Sequence, residues 1–523
     1  MSLSRLQNYI NLNFLNYILI SFFTIYSIYI VRYHYDGHHI GLLYSNALDL
    51  INGKHPYKEI FIQYGFLTTL IHAFVLILFD NKIIFLSIFT VIFYSFSILL
   101  ISLSIKKLLN RYYALVASII MLFNHPIPWL PWSNYIGFFF LSLGVFLCTK
   151  SNKNYYFIGL IFGLVALSRQ DFFIPIILST LFFFIINYLK NKKINVRKNL
   201  ILISGFSTPL VIFFIYLFYN DIFFYWKSFL IIPNFYLQIY QTSINELIIN
   251  FIFYFLTESF FNFIITPQYF IISTILISNS ILIFLKIFNK INIPNNIFYF
   301  SLLSIFLCSL SLQIEIFRLY TSVIIGLIPM LYLLDNIKDK NFRVNLFKLL
   351  LLPSLFAIFF YPFGNNPIFQ KINFEQSTLK ISNEKFQYFN WPDLKIKSIN
   401  LITQISKKCD VDYLDNLTFD SIYSTIGDYN RIRMLPYEKN SLKESKFHFY
   451  LDSLKNPEIN FIEKINFEIK KENIILLINE NNHIYMDKKI IVTEGYNVIK
   501  INESNVVGRP KVLNIYLPTK CLI

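Results

Sequence analysis

The chain has 523 residues, of which 55% are hydrophobic, 19% aromatic and only 15% charged. A soluble globular protein carries about 25% charged residues, so this composition excludes an ordinary soluble protein and indicates a membrane protein. The net charge of +16 would suit nucleic-acid binding. However, most of the positive excess lies in short connectors between apolar runs, where it is typical of a membrane-topology signal, and no nucleic-acid partner is expected.

Thirteen apolar runs succeed one another in residues 1–362, and a crossing helix needs about 20 apolar residues. The runs are 12–32, 64–79, 83–105, 112–128, 134–149, 155–168, 172–189, 200–219, 246–265, 268–286, 296–314, 318–334 and 346–362. The basic connectors between them should face the cytoplasm. That rule holds if runs 64–79 and 246–265 lie in or dip into the outer interface. The predicted fold class is an α-helical polytopic membrane protein with about eleven crossings and two juxtamembrane helices. Thirteen full crossings would fit the charges less well.

The loop after the first run, residues 34–65, carries four histidines, two aspartates, one glutamate and two lysines. Within it, apolar residues recur at helical spacing from Ile40 to Ile51, which predicts an amphipathic helix over 41–52 on the membrane surface. Asp36 directly follows the first crossing. A carboxylate near hydrocarbon is costly, so Asp36 should face a polar cavity, although capping of the next helix is an alternative.

Three more polar segments share the outer face with this loop, namely 124–135, 168–171 and 313–318, and a longer one covers 220–246. They are poor in lysine and rich in Trp, Tyr, Pro and Asn. Trp and Tyr at such positions fit an interfacial belt as well as they fit stacking on a sugar.

The first loop is similar to that of the GT-C glycosyltransferases. The resemblance comprises an acidic residue after the first span, an amphipathic helix, and a G-x-x-P-Y-x-x-x-F-x-x-Y-G stretch that opens a second helix. The matching residues are Asp36, Gly37, His38, His39, Gly53, Pro56, Tyr57, Phe61, Tyr64 and Gly65. The resemblance covers residues 1–362. Within the GT-C enzymes, the chain is most similar to the dolichyl-phosphate-mannose and aminoarabinose-transferase-like group, which includes bacterial proteins similar to glycosyltransferase family 39. The resemblance implies an enzyme that uses polyprenyl-phosphate-linked sugars and inverts the anomeric centre in one displacement.

Sugar transfer from a polyprenyl phosphate needs a general base for the acceptor hydroxyl and positive groups for the departing phosphate. We therefore predict Asp36 as the base, with His38 and His39 as its neighbours. Arg169 and Arg318 are predicted to grip the phosphate, because a guanidinium offers two parallel donors. Each arginine is also close in sequence to a carboxylate, so a structural ion pair is the alternative.

Lys58, Tyr64 and Asn134 complete the predicted substrate- and phosphate-binding set. The family carries a second acidic residue where this chain has Asn134. Two adjacent histidines also point in different directions on a helix. For both reasons no metal ligand and no cofactor are assigned, and a divalent metal is kept only as an alternative.

From residue 363 onward, short apolar strands alternate with amphipathic stretches, which predicts an extracytoplasmic α/β domain over 363–523 beside the first loop. It contains no GxGxxG, P-loop or catalytic serine motif. Cys409 and Cys521 lie in this tail, where the sequence leaves a disulfide open.

The sequence thus predicts a multi-pass glycosyltransferase of a bacterial inner membrane, with its site on the outer face. The donor would be a polyprenyl-phosphate sugar and the acceptor a glycan, lipid or protein of the cell envelope. A polysaccharide polymerase or ligase is one alternative. Such enzymes typically carry functional Arg and His residues in a large late outer loop, whereas this chain concentrates its ionisable residues in the first loop. A transporter or flippase is another, but it would need charges at mid-span, and here charges cluster at span ends.

Overall fold

The computed structural model describes residues 11–33, 37–62, 65–125, 129–191, 196–229, 267–288, 290, 292–309, 316–360, 379–391, 393–416, 421–427, 429, 461–479, 495–503 and 511–521. The description covers the backbone alone at residues 37–39, 191, 228–229, 267, 309, 316–318, 353, 355–360, 415–416, 421, 424, 461–464, 479, 502–503 and 511.

Helices account for nearly all of the described chain before residue 361. They are α1 Leu12–Ile30, α2 Gly37–Ile51, α3 Phe66–Leu78, α4 Ile84–Leu108, α5 Arg111–Phe123, α6 Ser133–Thr149, α7 Tyr155–Ser168, α8 Phe173–Asn191, α9 Val196–Tyr219, α10 Phe223–Phe229, α11 Pro267–Ile287, α12 Asn295–Ser309, α13 Ile316–Val323, α14 Leu327–Asp335 and α15 Lys340–Phe360. Single 3₁₀ turns, such as Gln170–Phe172 between α7 and α8, join some of them.

Five helical segments are long and apolar enough to cross a membrane by length and composition: Leu12–Tyr33, Ile84–Leu108, Gln170–Lys190, Val196–Tyr219 and Gln268–Ile287. Seven shorter apolar helices accompany them in the described part of the chain. The long helices expose large apolar side chains, such as Ile25 and Ile212, as expected where hydrocarbon replaces water. The predicted polytopic helical fold is confirmed.

The two runs predicted to lie at the interface have different outcomes. The first forms α3, whose 13 residues span about 20 Å. That length is shorter than the hydrocarbon core of about 30 Å, but α5, from a run predicted to cross, has the same length, so the interfacial position of run 64–79 stays a prediction. The second run, 246–265, lies outside the described residues.

Helices α7 and α9 pack at unusually close range because small residues lie where they meet. A Cβ added at Gly159 would lie 2.0 Å from the Leu202 carbonyl oxygen, and one at Gly205 would lie 2.0 Å from that of Tyr156. Any larger residue at either position would push the helices apart. This contact fixes α7, which ends at the predicted phosphate-binding arginine.

The tail folds around a four-stranded sheet and two helices, α16 Asp393–Lys408 and α17 Phe461–Lys470. Its strands are β1 Tyr413–Asn416, β2 Ile474–Asn479, β3 Tyr496–Glu503 and β4 Lys511–Pro518, in the order β1-β2-β4-β3. Strands β1 and β2 are parallel, and the other two pairs are antiparallel. A disulfide joins Cys409, just after α16, to Cys521, and so settles the pairing that the sequence left open.

The tail contacts the helical bundle at the end where the first loop lies. The Asn390 amide donates to the Arg32 carbonyl at 2.8 Å, and the Ile83 amide donates to the Lys385 carbonyl at 3.1 Å. The 3₁₀ helix Ser421–Thr425 packs directly on α2. The tail and the first loop therefore occupy the same end of the bundle.

Candidate active site

Helix α2 is buried on both of its faces. Its apolar side chains, including Tyr44 and Ala47, are buried as the helical spacing predicts. Its polar side chains, including Asn46 and Asp49, are buried too. The polar face of this amphipathic helix is therefore covered as well as its apolar face. The cover consists of the tail and the returning loop.

The polar face of α2 holds the loop that follows it. The Asn46 amide donates to the Phe61 carbonyl at 2.7 Å, and Lys54 Nζ lies 2.9 Å from Asp49 Oδ1. Asp49 is 1% exposed, and a buried carboxylate of this kind is retained only when it is paired. This ion pair was not predicted from the sequence. The only signal for it there is that Asp49 and Lys54 are five positions apart, with Gly53 between them.

Aromatic contacts hold the middle of the loop. Tyr57 has a positive φ of 66° and packs its buried ring on Phe213 of α9, with 6.3 Å between ring centroids. Burial and the neighbouring Tyr216 phenol raise the pKa of Tyr57, so its phenol stays protonated. Lys58, predicted to contact substrate, lies with its Nζ 5.6 Å from the centroid of the Tyr225 ring on α10.

The end of the loop is fixed to the turn that carries Arg169. A Cβ at Gly65 would lie 2.1 Å from the Leu167 carbonyl oxygen, so only glycine fits there. Thr68 Oγ1 donates to the Ser168 carbonyl at 2.8 Å. The first loop and the C-terminus of α7, 100 residues apart in sequence, are thereby joined.

Arg169 forms a two-point ion pair with Asp171. Its Nε and Nη2 donate to the two carboxylate oxygens at 2.6 and 2.5 Å. The side chain of Arg169 is 5% exposed, whereas that of Asp171 is 42% exposed. The ion pair that the sequence left open as an alternative is thus present, and water reaches it from the Asp171 side.

Asn134 connects this turn to helix α13. A Cβ at Gly137, one turn further along α6, would lie 3.4 Å from the Arg169 Cβ. Asn134 Nδ2 donates to Thr321 Oγ1 at 3.1 Å, and both side chains are buried. Thr321 lies three residues after Arg318 on α13. The structure therefore brings together Arg169, Asn134 and the helix that bears Arg318.

A buried aromatic cluster beneath these elements was not predicted from the sequence. Tyr94 and Tyr320 both donate to the Met121 carbonyl, at 2.6 and 2.8 Å. The Tyr135 hydroxyl lies 2.8 Å from His125 Nε2, and Trp129 stacks on the His125 ring at 4.1 Å. Trp129 is fully buried, so it belongs neither to an exposed interfacial belt nor to an open sugar platform. His125, Trp129 and Tyr135 belong to the polar segment 124–135, but Tyr94 and Tyr320 come from α4 and α13, so no local motif revealed the cluster.

The remaining predicted residues lie at the edge of the described chain. Asp36 and Tyr64 are outside the described residues. In sequence, Asp36 directly precedes the first residue of α2, and Tyr64 directly precedes Gly65. The side chains of His38, His39 and Arg318 are also outside them. Within the described part of the chain, no group of three or more His, Cys, Asp or Glu residues could hold a metal ion.

No protein-family model matches the sequence, and no curated protein matches it significantly. Among solved structures, the chain is similar to the crystal structure of ArnT from Cupriavidus metallidurans bound to undecaprenyl phosphate, with a TM-score of 0.52. The match covers 95% of this chain and 97% of the ArnT chain at 8% sequence identity. ArnT is a GT-C glycosyltransferase, an aminoarabinose transferase. At this identity the comparison shows the fold, and the chain accordingly has the GT-C-like fold that its first loop had indicated.

Proposed function

We propose that the protein is a membrane glycosyltransferase that moves a sugar from a polyprenyl-phosphate donor to an extracytoplasmic acceptor, in the synthesis of a cell-envelope glycan or glycolipid. The observation that supports this most strongly is the match, over 95% of the chain, to an enzyme crystallised with undecaprenyl phosphate. The convergence of the first loop, Arg169 and α13 at one end of the bundle supports it independently.

The reaction proposed is a single displacement at the anomeric carbon. The acceptor hydroxyl oxygen forms the new glycosidic bond while the bond between that carbon and the phosphate oxygen breaks. Asp36 takes the hydroxyl proton as general base, and His38 and His39 are its neighbours on the first turn of α2. Polyprenyl phosphate leaves with the bonding electron pair.

Arg169 and Arg318 are proposed to stabilise the charge that grows on the leaving phosphate. The Asp171 carboxylate already accepts hydrogen bonds from Nε and Nη2 of Arg169. An arriving phosphate would therefore displace that carboxylate, approaching from its solvent-exposed side. Asn134, bonded to Thr321, is assigned to positioning α13 rather than to contacting substrate. Lys58 and Tyr64 are kept as substrate contacts.

We assign the reaction to residues 1–362 and propose that residues 363–523 form an extracytoplasmic domain above it, in a bacterial inner membrane. The disulfide Cys409–Cys521 supports this placement, because disulfides persist mainly outside the reducing cytosol. The contacts of the tail with α2 support a position beside the first loop. A role for the tail in admitting the acceptor is part of the proposal.

The experiment uses purified protein in nanodiscs, a panel of undecaprenyl-phosphate-linked sugars, and cell-envelope extract as the source of acceptor. Release of undecaprenyl phosphate is measured for the parent and for Asp36→Asn. We expect Asp36→Asn to reduce turnover by roughly 100-fold or more, since a general base supplies about that much, with an unchanged melting temperature.

Asp80→Asn is the matched control. Asp80 is an exposed carboxylate near the same end of the bundle, and asparagine tolerates its positive φ of 50°. Full turnover by Asp36→Asn would remove the base assignment. Uptake of a labelled sugar into vesicles without covalent transfer would point instead to a transporter.

A further inference from the structure

A cavity opens toward the end of α7 that is remote from Arg169. Its volume is about 620 Å³, and it lies between α7, α8, α9 and the start of α12. This volume is within the range of small-molecule sites. None of the residues predicted for sugar transfer lines it, so the cavity is separate from the candidate active site.

The mouth of the cavity is positively charged. Lys153 and Lys198 line it together with several amide side chains, and the described lining includes no aspartate or glutamate. Lys153 Nζ lies 2.9 Å from Asn296 Oδ1, whose Nδ2 donates to the Cys148 carbonyl at 3.0 Å. Lys198 Nζ lies 5.5 Å from the centre of the Tyr155 ring. These contacts hold both ammonium groups at the mouth, where an anionic group of a ligand would meet them.

The interior is apolar, and it opens toward the bilayer. Phe162 and Ile176 form part of the buried wall. Leu181 on α8 and Ile203 on α9 also line the cavity, yet each is 49% exposed. Because α8 and α9 are both long and apolar enough to cross a membrane, we expect the exposed faces that bear these two side chains to contact hydrocarbon rather than water.

The dimensions suit one lipid chain. The lining of α8 runs from Asn187 at the mouth to Ile176, and the eleven helical rises between them span about 16 Å. A soluble anion would need the charged mouth but not the deep apolar interior or the lateral opening. A zwitterionic lipid would leave the positive mouth without a net negative partner.

We propose that this cavity binds one anionic phospholipid taken from the bilayer leaflet on the basic side of the protein. Its phosphate lies between Lys153 and Lys198, and one acyl chain enters between α8 and α9. The site holds α7, α8, α9 and α12 together at the end remote from Arg169. The proposal does not depend on sugar transfer, because it concerns a different cavity and a different lipid.

The test is native mass spectrometry of the full-length protein titrated with dioleoyl phosphatidylglycerol. A lysine near an anionic lipid surface contributes about 1 kcal/mol, which is roughly fivefold per lysine. We therefore expect Lys153→Gln/Lys198→Gln to bind this lipid about thirty-fold more weakly. The control Lys338→Gln/Lys340→Gln removes two exposed lysines that do not line the cavity, and its binding should equal that of the parent.

A second variant tests the apolar part without changing charge. Ile177→Trp places a larger side chain on the half-buried cavity wall of α8, and it should displace the acyl chain and weaken binding while leaving the helical circular dichroism unchanged. Equal binding by the double lysine variant and its control would overturn the proposal. Equal affinity for dioleoyl phosphatidylethanolamine, or displacement of the lipid by inorganic phosphate, would do so as well.

Discussion

At the scale of single residues, the Arg169–Asp171 pair decides how the phosphate site should behave. The guanidinium is almost fully buried, and two of its N–H groups already point at carboxylate oxygens. A buried arginine without an anion would be strongly destabilising, so Asp171 stabilises the protein when no donor is bound. The Asp171 carboxylate orients the guanidinium and partly neutralises its charge, so Arg169 is well suited to exchange that carboxylate for the phosphate of a donor.

A pair of variants separates the phosphate role from a purely structural one. Arg169→Lys keeps the charge but loses the two-point grip, and we expect turnover to fall by roughly 100-fold with the donor held saturating. Asp171→Asn removes the competing carboxylate, and we expect the donor KM to fall. Steady-state kinetics on both variants provides the measurement. If both changes lower only the melting temperature and leave kcat and KM alone, Arg169 is a structural residue.

At the scale of elements, close contacts join segments that are distant in sequence. Gly65 brings the end of the first loop against the C-terminus of α7, and Asn134 joins the start of α6 to α13. The loop between α2 and α3 is further held by Asn46 and by the Asp49–Lys54 pair. The described part of the first loop is thus packed into the bundle.

Gly65→Ala tests that contact. The added methyl group would meet the Leu167 carbonyl at 2.1 Å, so the loop must move off α7. We expect a loss of stability of about 1–3 kcal/mol, as for other overpacked sites, together with a large fall in turnover. Thermal unfolding and the release of undecaprenyl phosphate measure the two effects.

Gly53→Asn is the control in the same loop. Gly53 has a φ of 79° and open space around its Cα, and asparagine tolerates such a conformation. It should retain near-parental stability and turnover. An alanine at position 65 that proved as harmless as this control would show that the loop need not touch α7.

At the scale of the whole molecule, the tail is coupled to the bundle through α2. The 3₁₀ helix Ser421–Thr425 packs on α2, and Lys385 Nζ donates to the Gly427 carbonyl at 3.1 Å beside it. The disulfide closes the tail from Cys409 to Cys521 across 112 residues. Tyr429 donates its hydroxyl to the Cys409 carbonyl at 2.9 Å, and burial raises its pKa to about 12, so this bond persists at neutral pH.

Removal of the disulfide should destabilise the tail without unfolding the membrane bundle. A closed loop of this length constrains the unfolded chain by about 4–5 kcal/mol in the chain-entropy account. We expect Cys409→Ser/Cys521→Ser to be cleaved far faster by protease in the tail, with residues 1–362 still intact. Limited proteolysis with and without reductant measures this, and Cys148→Ser/Cys308→Ser serves as the control. Equal cleavage rates in the two double variants would show that the disulfide contributes nothing to the tail.

Several features followed from local sequence alone. Hydropathy runs identified a polytopic helical protein because the bilayer requires long apolar helices whatever their tertiary contacts. The first loop, with its G-x-x-P-Y-x-x-x-F-x-x-Y-G stretch, indicated the GT-C-like fold through its resemblance to that family. The apolar face of α2 was predicted correctly, because helical periodicity does not depend on what covers the helix.

Other features depend on which distant segments meet, and a linear pattern does not carry that information. Ser45, Asn46 and Asp49 form the polar face of α2, and only the folded chain shows that they are buried, because the returning loop and the tail close over α2. Arg169, Asn134 and α13 come together only through contacts that join residues up to 187 positions apart. Composition and periodicity express what each segment prefers, whereas the site arises from packing between segments, and that packing is a property of the folded chain.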